Sequence, residues 1–343
     1  MNVQYLLREA RYYKKLGKGH FKRMLIKFIL AKTLLSKLVN KTIYNKIYSS
    51  RIKKQSEKIK PKLLQIETTN FCNAKCIMCP HIYMKRKQKN MSQEEFIKIC
   101  KNILPYENIE LMVLSGFGEP FIDSGLIDKI KWINQNYPKM QIDLYTNASL
   151  LTTQVIEEFL KLKIHKINFS INGTEKSYQK IMKLDYGNTK KNIIYFLKKR
   201  KENKINYPLV NLSLMIIEEN KNEIEKIINF WENKVDSVMA YLPSDWAGKL
   251  KISSINKNPF PKKRWPCQIL WNSITVDVEG NFIMCCRDYE SKIKFGNLLK
   301  ENILKIKGSK KFKDLLKNQL DYKFNTPICS SCDNSFDSSL NWW

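Results

Sequence analysis

Glu67-Thr68-Thr69-Asn70-Phe71-Cys72-Asn73-Ala74-Lys75-Cys76-Ile77-Met78-Cys79-Pro80-His81 follows the first strong apolar run of the main body, and its cysteines stand four and then three apart. Side chains at those separations converge when the loop curls, so three soft thiolates can grip one face of a cluster. Four thiolates complete an ordinary iron–sulfur site. Three leave one iron unclaimed by the motif, and an open coordination position is what a catalytic metal centre needs. A zinc site is the competing reading, with Cys76 and Cys79 as a knuckle and Cys72 or His81 added. Disulfides fit poorly: the count of nine cysteines is odd and the N-terminus does not read as a secretory signal.

Outward from this loop, strand-like and helical patterns alternate. Leu63–Thr68, Glu110–Leu114, Gln141–Tyr145, Lys166–Ser170, Leu209–Ile217 and Ser237–Leu242 read as strands. Helical stretches intervene near Gln93–Lys101, Leu126–Gln135, Thr152–Lys161, Thr174–Lys183, Thr189–Glu202 and Glu223–Trp231. Such alternation predicts right-handed crossovers and a parallel sheet. Six units make an α/β fold, a partial (β/α)6 TIM-like barrel, whose active site is expected on the loops at the C-terminal strand ends. The cysteine loop, Ser115–Pro120, Thr146-Asn147 and Ser170–Gly173 all fall on that rim.

The 343 residues carry a formal net charge of +29, and residues 1–62 hold +16 of it. Between Phe21 and Val39 apolar residues recur with helical spacing among lysines. A basic amphipathic helix suits a membrane interface better than a nucleic-acid groove, and its apolar run is too short to span a bilayer. Residues 1–61 are therefore expected to form a basic helical arm, residues 62–250 the barrel, and residues 260–343 a further small domain. A cytoplasmic protein, peripheral to the inner membrane face and without a nucleic-acid partner, is the expectation. The bland alternative is a helix packed on the main domain.

With three cysteines at this spacing, Cys72–Cys79 resembles the signature of the radical S-adenosylmethionine (radical SAM) superfamily. Ser115-Gly116-Phe117-Gly118-Glu119-Pro120 is similar to that family's Gly-Gly-Glu-Pro loop, with Phe117 standing where the first glycine belongs. A dinucleotide fingerprint would need glycine in place of Phe121. The resemblance implies a [4Fe–4S] cluster on Cys72, Cys76 and Cys79. It further implies S-adenosylmethionine (SAM) held by Met78, Gly118, Glu119, Thr146, Asn147, Ser170 and Asn172, with flavodoxin or ferredoxin as electron donor. Plain turn, cap or core roles compete for each of these side chains.

A second set of cysteines follows Pro266. Cys267 precedes an alternating run Ser273–Val278, a Glu279-Gly280-Asn281 turn, and Phe282–Cys286, a hairpin signal. Cys285 and Cys286 are read as strand neighbours pointing to opposite faces, so one of them joins Cys267, Cys329 and Cys332 in a filled four-thiolate shell. The tail resembles the SPASM, or shorter twitch, extension, which implies an auxiliary [4Fe–4S] cluster on Cys267, Cys285, Cys329 and Cys332. A zinc ribbon is the alternative. Cys100 reads as helix core.

The resemblance implies hydrogen-atom abstraction by a 5′-deoxyadenosyl radical. A fully ligated second cluster suits an electron acceptor, hence a dehydrogenase. The segment Glu67–Arg86 is similar to family members encoded with surface-polysaccharide genes, which points to a sugar or polyol substrate, lipid- or nucleotide-linked. Peptide or protein modification and sugar epimerisation, with Cys286 as hydrogen donor, are the alternatives, and a non-catalytic metal-binding adaptor is the reading from another class. Asp245 and Asp288 are the candidate catalytic carboxylates.

Overall fold

Crossovers place helices on one side of a continuous sheet. The computed structural model describes residues 60–250 and 266–332, with Ser50, Lys53, Lys54 and Ser56 besides. Residues 1–49 of the basic arm, its amphipathic stretch among them, and the segment 251–265 lie outside the described residues. Strands β1 (Leu63–Ile66), β2 (Leu111–Val113), β3 (Gln141–Thr146), β4 (Lys166–Ser170), β5 (Leu209–Met215) and β6 (Ser237–Tyr241) pair in parallel, each with the next. Between them run α1 (Gln93–Ile103), α2 (Leu126–Asn136), α3 (Thr153–Phe159), α4 (Glu175–Met182), α5 (Tyr186–Glu202) and α6 (Ile224–Trp231). This is the expected partial barrel.

Local chemistry sets the element starts. Ser92 and Glu95 form a reciprocal capping box, Glu95 N–H to Ser92 at 3.1 Å and Ser92 N–H to Glu95 at 2.9 Å, which satisfies two orphan donors at the head of α1. Thr152 caps α3 in the same sense by accepting from Val155 N–H.

Side chains alternate across the strands. Leu64, Ile66, Ile142, Leu144, Ile167, Phe169, Leu212 and Leu214 are fully buried in one core with the helices. Cys100 belongs to that core and is 0% exposed, as its helical face suggests. The other face is polar. Asp143, Tyr145, Asn168 and Asn211 lie on it, and Tyr145, Asn168 and Asn211 are partners in register. A closed barrel fills its interior with branched apolar side chains; this one lines its concave side with hydrogen-bonding groups instead.

The tail continues the same sheet. After α7 (Ile269–Asn272), β7 (Ser273–Val276) pairs in parallel with β1, and β8 (Asn281–Ile283) and β9 (Lys294–Asn297) follow antiparallel. The order is β6-β5-β4-β3-β2-β1-β7-β8-β9. The C-terminal hairpin is thereby fixed beside the cysteine loop. Helices α8 (Ile303–Gly308) and α9 (Lys310–Leu320) close the tail. Among the described residues no helix is long and apolar enough to cross a membrane.

One local expectation fails. Strand β8 ends at Ile283, so Cys285 and Cys286 are not strand neighbours. Met284 N–H still reaches Ile293 O, but Cys285 O then accepts from Asp288 N–H and turns the chain. Asp288 stabilises this turn, which is why the alternating face pattern stops before the cysteines.

Candidate active site

The cysteine loop is docked by backbone. Lys75 N–H donates to Met182 O at 3.2 Å and Ile77 N–H to Ile181 O at 3.0 Å, fastening the loop to the end of α4, while Cys79 N–H to Cys76 O closes a turn. The Cys76 thiol donates to Met182 Sδ at 3.3 Å. Burial pushes the Cys72 thiol up to about 12 and raises Cys76 and Cys79 as well, and Cys76 is raised further by Cys79 and Cys72. Such thiols ionise only with a cationic partner, which is what a cluster iron supplies. Among the described residues no three Cys, His, Asp or Glu side chains gather tightly enough for a single ion. A cuboidal cluster asks for something looser, one thiolate on each of three irons.

Beside this loop lies a buried carboxylate. Glu119 Oε1 accepts from the Thr146 hydroxyl at 2.6 Å and from Phe121 N–H at 3.3 Å, and Oε2 from Asn147 N–H at 2.8 Å. Burial outweighs these bonds and pushes the carboxyl up to about 7. Gly118 is required by close approach: a Cβ there would lie 2.3 Å from Thr69 O and 2.7 Å from Phe71 O. The same approach lets Glu119 N–H donate to Phe71 O at 2.8 Å, tying the two loops together.

Thr146 and Asn147 are thus engaged in positioning Glu119, and Asn147 also donates to Asn73 Oδ1 at 2.9 Å. Asn172 is buried, donating to Met182 Sδ and accepting from Met215 N–H. Ser170 ends β4 half-buried, its hydroxyl making no hydrogen bond among the described residues. Met78 is buried, and its carbonyl accepts from the Trp246 indole at 3.1 Å.

Phe117 explains how the loop carries a ring where its family resemblance expects glycine. The ring enters a cleft between Trp246, 5.6 Å between centroids, and Tyr289, 6.1 Å, with the Arg86 guanidinium 5.8 Å from its centre. Phe117 N–H donates to Glu67 Oε1. Glu67 and Arg86, which bound the segment Glu67–Arg86, look like ordinary flanking charges in the sequence. An acid at a strand end before a metal loop, with an arginine nearby, is the signal that was available.

Cys267, Cys285, Cys329 and Cys332 line one buried cavity with Ile269, Leu270, Met284, Ile328, Arg287 and Gln319. Burial raises Cys267 to about 12 and Cys285 well above its ordinary value. Cys286 lies outside that lining but close enough for Cys332 to raise it. The tail also meets the loop after β6: Ser331 donates to Ala247 O at 2.7 Å, and Arg287 stacks on Trp246 at 5.1 Å.

Asp288 is 2% exposed, its oxygens accepting from Lys292 N–H at 2.9 Å and Ile293 N–H at 2.8 Å. That is work inside the turn. Asp245 sits half-buried in the loop after β6, its carbonyl accepting from Lys249 and Leu250 N–H. Tyr145 was missed. It sits on an inner strand yet is 44% exposed, its hydroxyl without a hydrogen bond among the described residues. Burial raises its phenol, Lys166 opposes this, and Asp143 and Cys286 add to it. Alternation of polar residues on β3 to β5 was the available signal.

Residues 66–230 match the radical SAM superfamily, and residues 267–333 match SPASM, an iron–sulfur cluster-binding domain. The chain belongs to the radical SAM superfamily and carries a C-terminal SPASM domain, with a SAM-binding [4Fe–4S] cluster and auxiliary iron–sulfur chemistry as its cofactors. Over 175 residues it is 22% identical to a tungsten-containing aldehyde ferredoxin oxidoreductase cofactor-modifying protein of Pyrococcus furiosus, matching 50% of this chain and 48% of that one. The chain therefore spans about half the length of such curated relatives. A longer match, 19% over 275 residues, covers 79% of the chain and 92% of the S-adenosyl-L-methionine-dependent 2-deoxy-scyllo-inosamine dehydrogenase of Niallia circulans. In fold it resembles BtrN solved with AdoMet and 2-DOIA, TM-score 0.55, 18% identity, covering 80% of this chain and 93% of that one. It also resembles Streptococcus suis SuiB bound to precursor peptide SuiA, TM-score 0.61, 15% identity, covering 85% and 74%.

Proposed function

We propose that this radical SAM enzyme oxidises a secondary alcohol of a sugar or polyol, with the auxiliary cluster on Cys267, Cys285, Cys329 and Cys332 receiving the electron. When bound and reduced, SAM on the Cys72–Cys76–Cys79 cluster supplies a 5′-deoxyadenosyl radical for hydrogen-atom abstraction. The alcohol loses one hydrogen atom from carbon, one proton from oxygen and one electron, leaving a ketone.

The observation that carries the reading is the bridge at Trp246. Its indole bonds the Met78 carbonyl beside the first thiol set, and its ring stacks on Arg287, which lines the cavity of the second. Trp246 thus holds the loop of the first thiol set beside the lining of the second. Tyr145 offers an accessible hydroxyl on the polar inner face, suited to hydrogen-bonding a polyol hydroxyl, whose proton leaves to water. The dehydrogenase of Niallia circulans, similar over most of its length, acts on an inosamine by its name. The basic N-terminal segment suits a substrate carried on an anionic lipid or nucleotide diphosphate at the inner membrane face, and a flavodoxin or ferredoxin suits the reductant.

The test is label transfer. Holoenzyme, SAM and reductant are incubated with sugars and polyols deuterated at single carbinol positions. Deuterium in 5′-deoxyadenosine together with one ketone per SAM consumed is expected. Deuterium arriving only from a labelled peptide, or return of hydrogen to carbon with inversion and no ketone, would overturn the proposal.

A further inference from the structure

Gln319 is a polar side chain of the auxiliary cavity that neither the thiol set nor the proposed chemistry uses. It is 1% exposed, in the last turn of α9. Its Oε1 accepts from Cys267 N–H at 3.1 Å, and its Nε2 lies 3.4 Å from Cys329 Sγ. The first bond fixes the orientation of the second. A backbone N–H only donates, so the amide oxygen must face Cys267 and the NH2 group must face sulfur. A buried amide this constrained would leave an orphan donor without Cys329.

We propose that Gln319 is a positioning residue that raises the electron affinity of the auxiliary cluster by donating an N–H to the Cys329 sulfur. The inference rests on the reading of Cys267, Cys285, Cys329 and Cys332 as that cluster's ligands. Hydrogen bonds to cluster sulfurs set reduction potential, because added electron density collects partly on sulfur and a fixed donor stabilises it. The reduced state gains more from the bond than the oxidised state does. One amide also couples two ligands, holding the Cys267 backbone and the Cys329 sulfur in mutual register. An auxiliary cluster meant to take an electron from substrate is served by such a donor.

Two measurements test this on the holoenzyme. In Gln319→Met, which keeps length and apolar contact but loses the donor, an EPR-monitored redox titration should show the auxiliary potential shifted to a more negative value. The potential of the SAM-binding cluster, distinguished by its response to SAM, should stay in place. In the unsubstituted protein grown with 15N-amide glutamine, pulsed EPR of the reduced auxiliary cluster should show a nitrogen coupling that Gln319→Met lacks. An unchanged auxiliary potential in an iron-replete variant overturns the inference, and so does absence of the nitrogen coupling, which needs no variant to fold. Iron near four instead of about eight per unsubstituted chain overturns the ligand reading itself, a separate outcome.

Discussion

Arg86 and Glu67 meet fork to fork, Nη1 to Oε2 and Nη2 to Oε1, both at 2.6 Å. Their side chains are 13% and 4% exposed. The same Glu67 carboxylate accepts from Phe117 N–H at 3.0 Å and Val278 N–H at 3.1 Å, and Arg86 Nε donates to Tyr289 O at 2.7 Å. One buried ion pair therefore joins the exit of β1, the Phe117 loop and two turns of the SPASM domain. The mouth between the two thiol sets is braced from behind.

Removing one partner of this pair strands the other. Arg86→Met should lower stability by about 3 kcal/mol or more, since breaking a buried pair leaves a charge without compensation. Arg86→Lys should recover only part of that, because an ammonium cannot reproduce a planar bidentate fork. Urea denaturation of Arg86→Met, Glu67→Gln and the Glu67→Gln/Arg86→Met double variant gives the coupling. Strictly additive losses would show that the pair does not act as a unit.

Gly118→Ala tests the closest backbone approach in the site. The added methyl would meet two carbonyl oxygens, Thr69 and Phe71, neither of which is a flexible side-chain end. Destabilisation of about 3 kcal/mol, the upper range for overpacking, is expected, along with weakened SAM binding as the Glu119–Phe71 bond opens. A variant with unaltered denaturation midpoint and SAM affinity would contradict the observed contact.

The order of strands and the rim position of the loops were legible because period, length and turn residues all agreed at β1 to β6. The seam was not. Nothing in Ser273–Val276 distinguishes a free hairpin from a strand that docks beside β1, since that choice is made by contacts some 200 residues apart. For the same reason Glu67 and Arg86 looked like ordinary flanking charges. Nor does a carboxylate beside cysteines carry any sign in the sequence of the backbone N–H groups of Lys292 and Ile293 that Asp288 accepts from. Tyr145 hid in an alternation that reads equally well as a half-exposed strand.

Cys285 and Cys286 can be separated by iron content. Cys285 lines the auxiliary cavity and Cys286 does not. After anaerobic reconstitution, Cys285→Ser should fall from about eight irons towards about four, whereas Cys286→Ser should stay near eight. The reverse result would move the ligand assignment to Cys286.

Glu119 gives the chain a pH signature with a definite sign. Its carboxyl is raised from an ordinary value of 4.5 to about 7 by burial. Below about 4.5 it is neutral both folded and unfolded, and burial carries no penalty. Above about 7 it is ionised in both states, and the folded protein without SAM bears the full desolvation penalty, on the order of 3 kcal/mol. Its contribution to stability thus falls as pH rises through that window, and Glu119→Gln should flatten the fall. SAM binding should show the opposite trend. The loop's resemblance to Gly-Gly-Glu-Pro puts Glu119 at the SAM amino group, a cation that favours the ionised carboxylate, so affinity should increase as pH rises through about 7, with close to one proton released per SAM bound below that pH. Calorimetry in buffers of differing ionisation enthalpy measures that proton directly. The Glu119→Gln variant should bind SAM more weakly at pH 8 and release none, and proton release equal in variant and parent would assign the titration to another group.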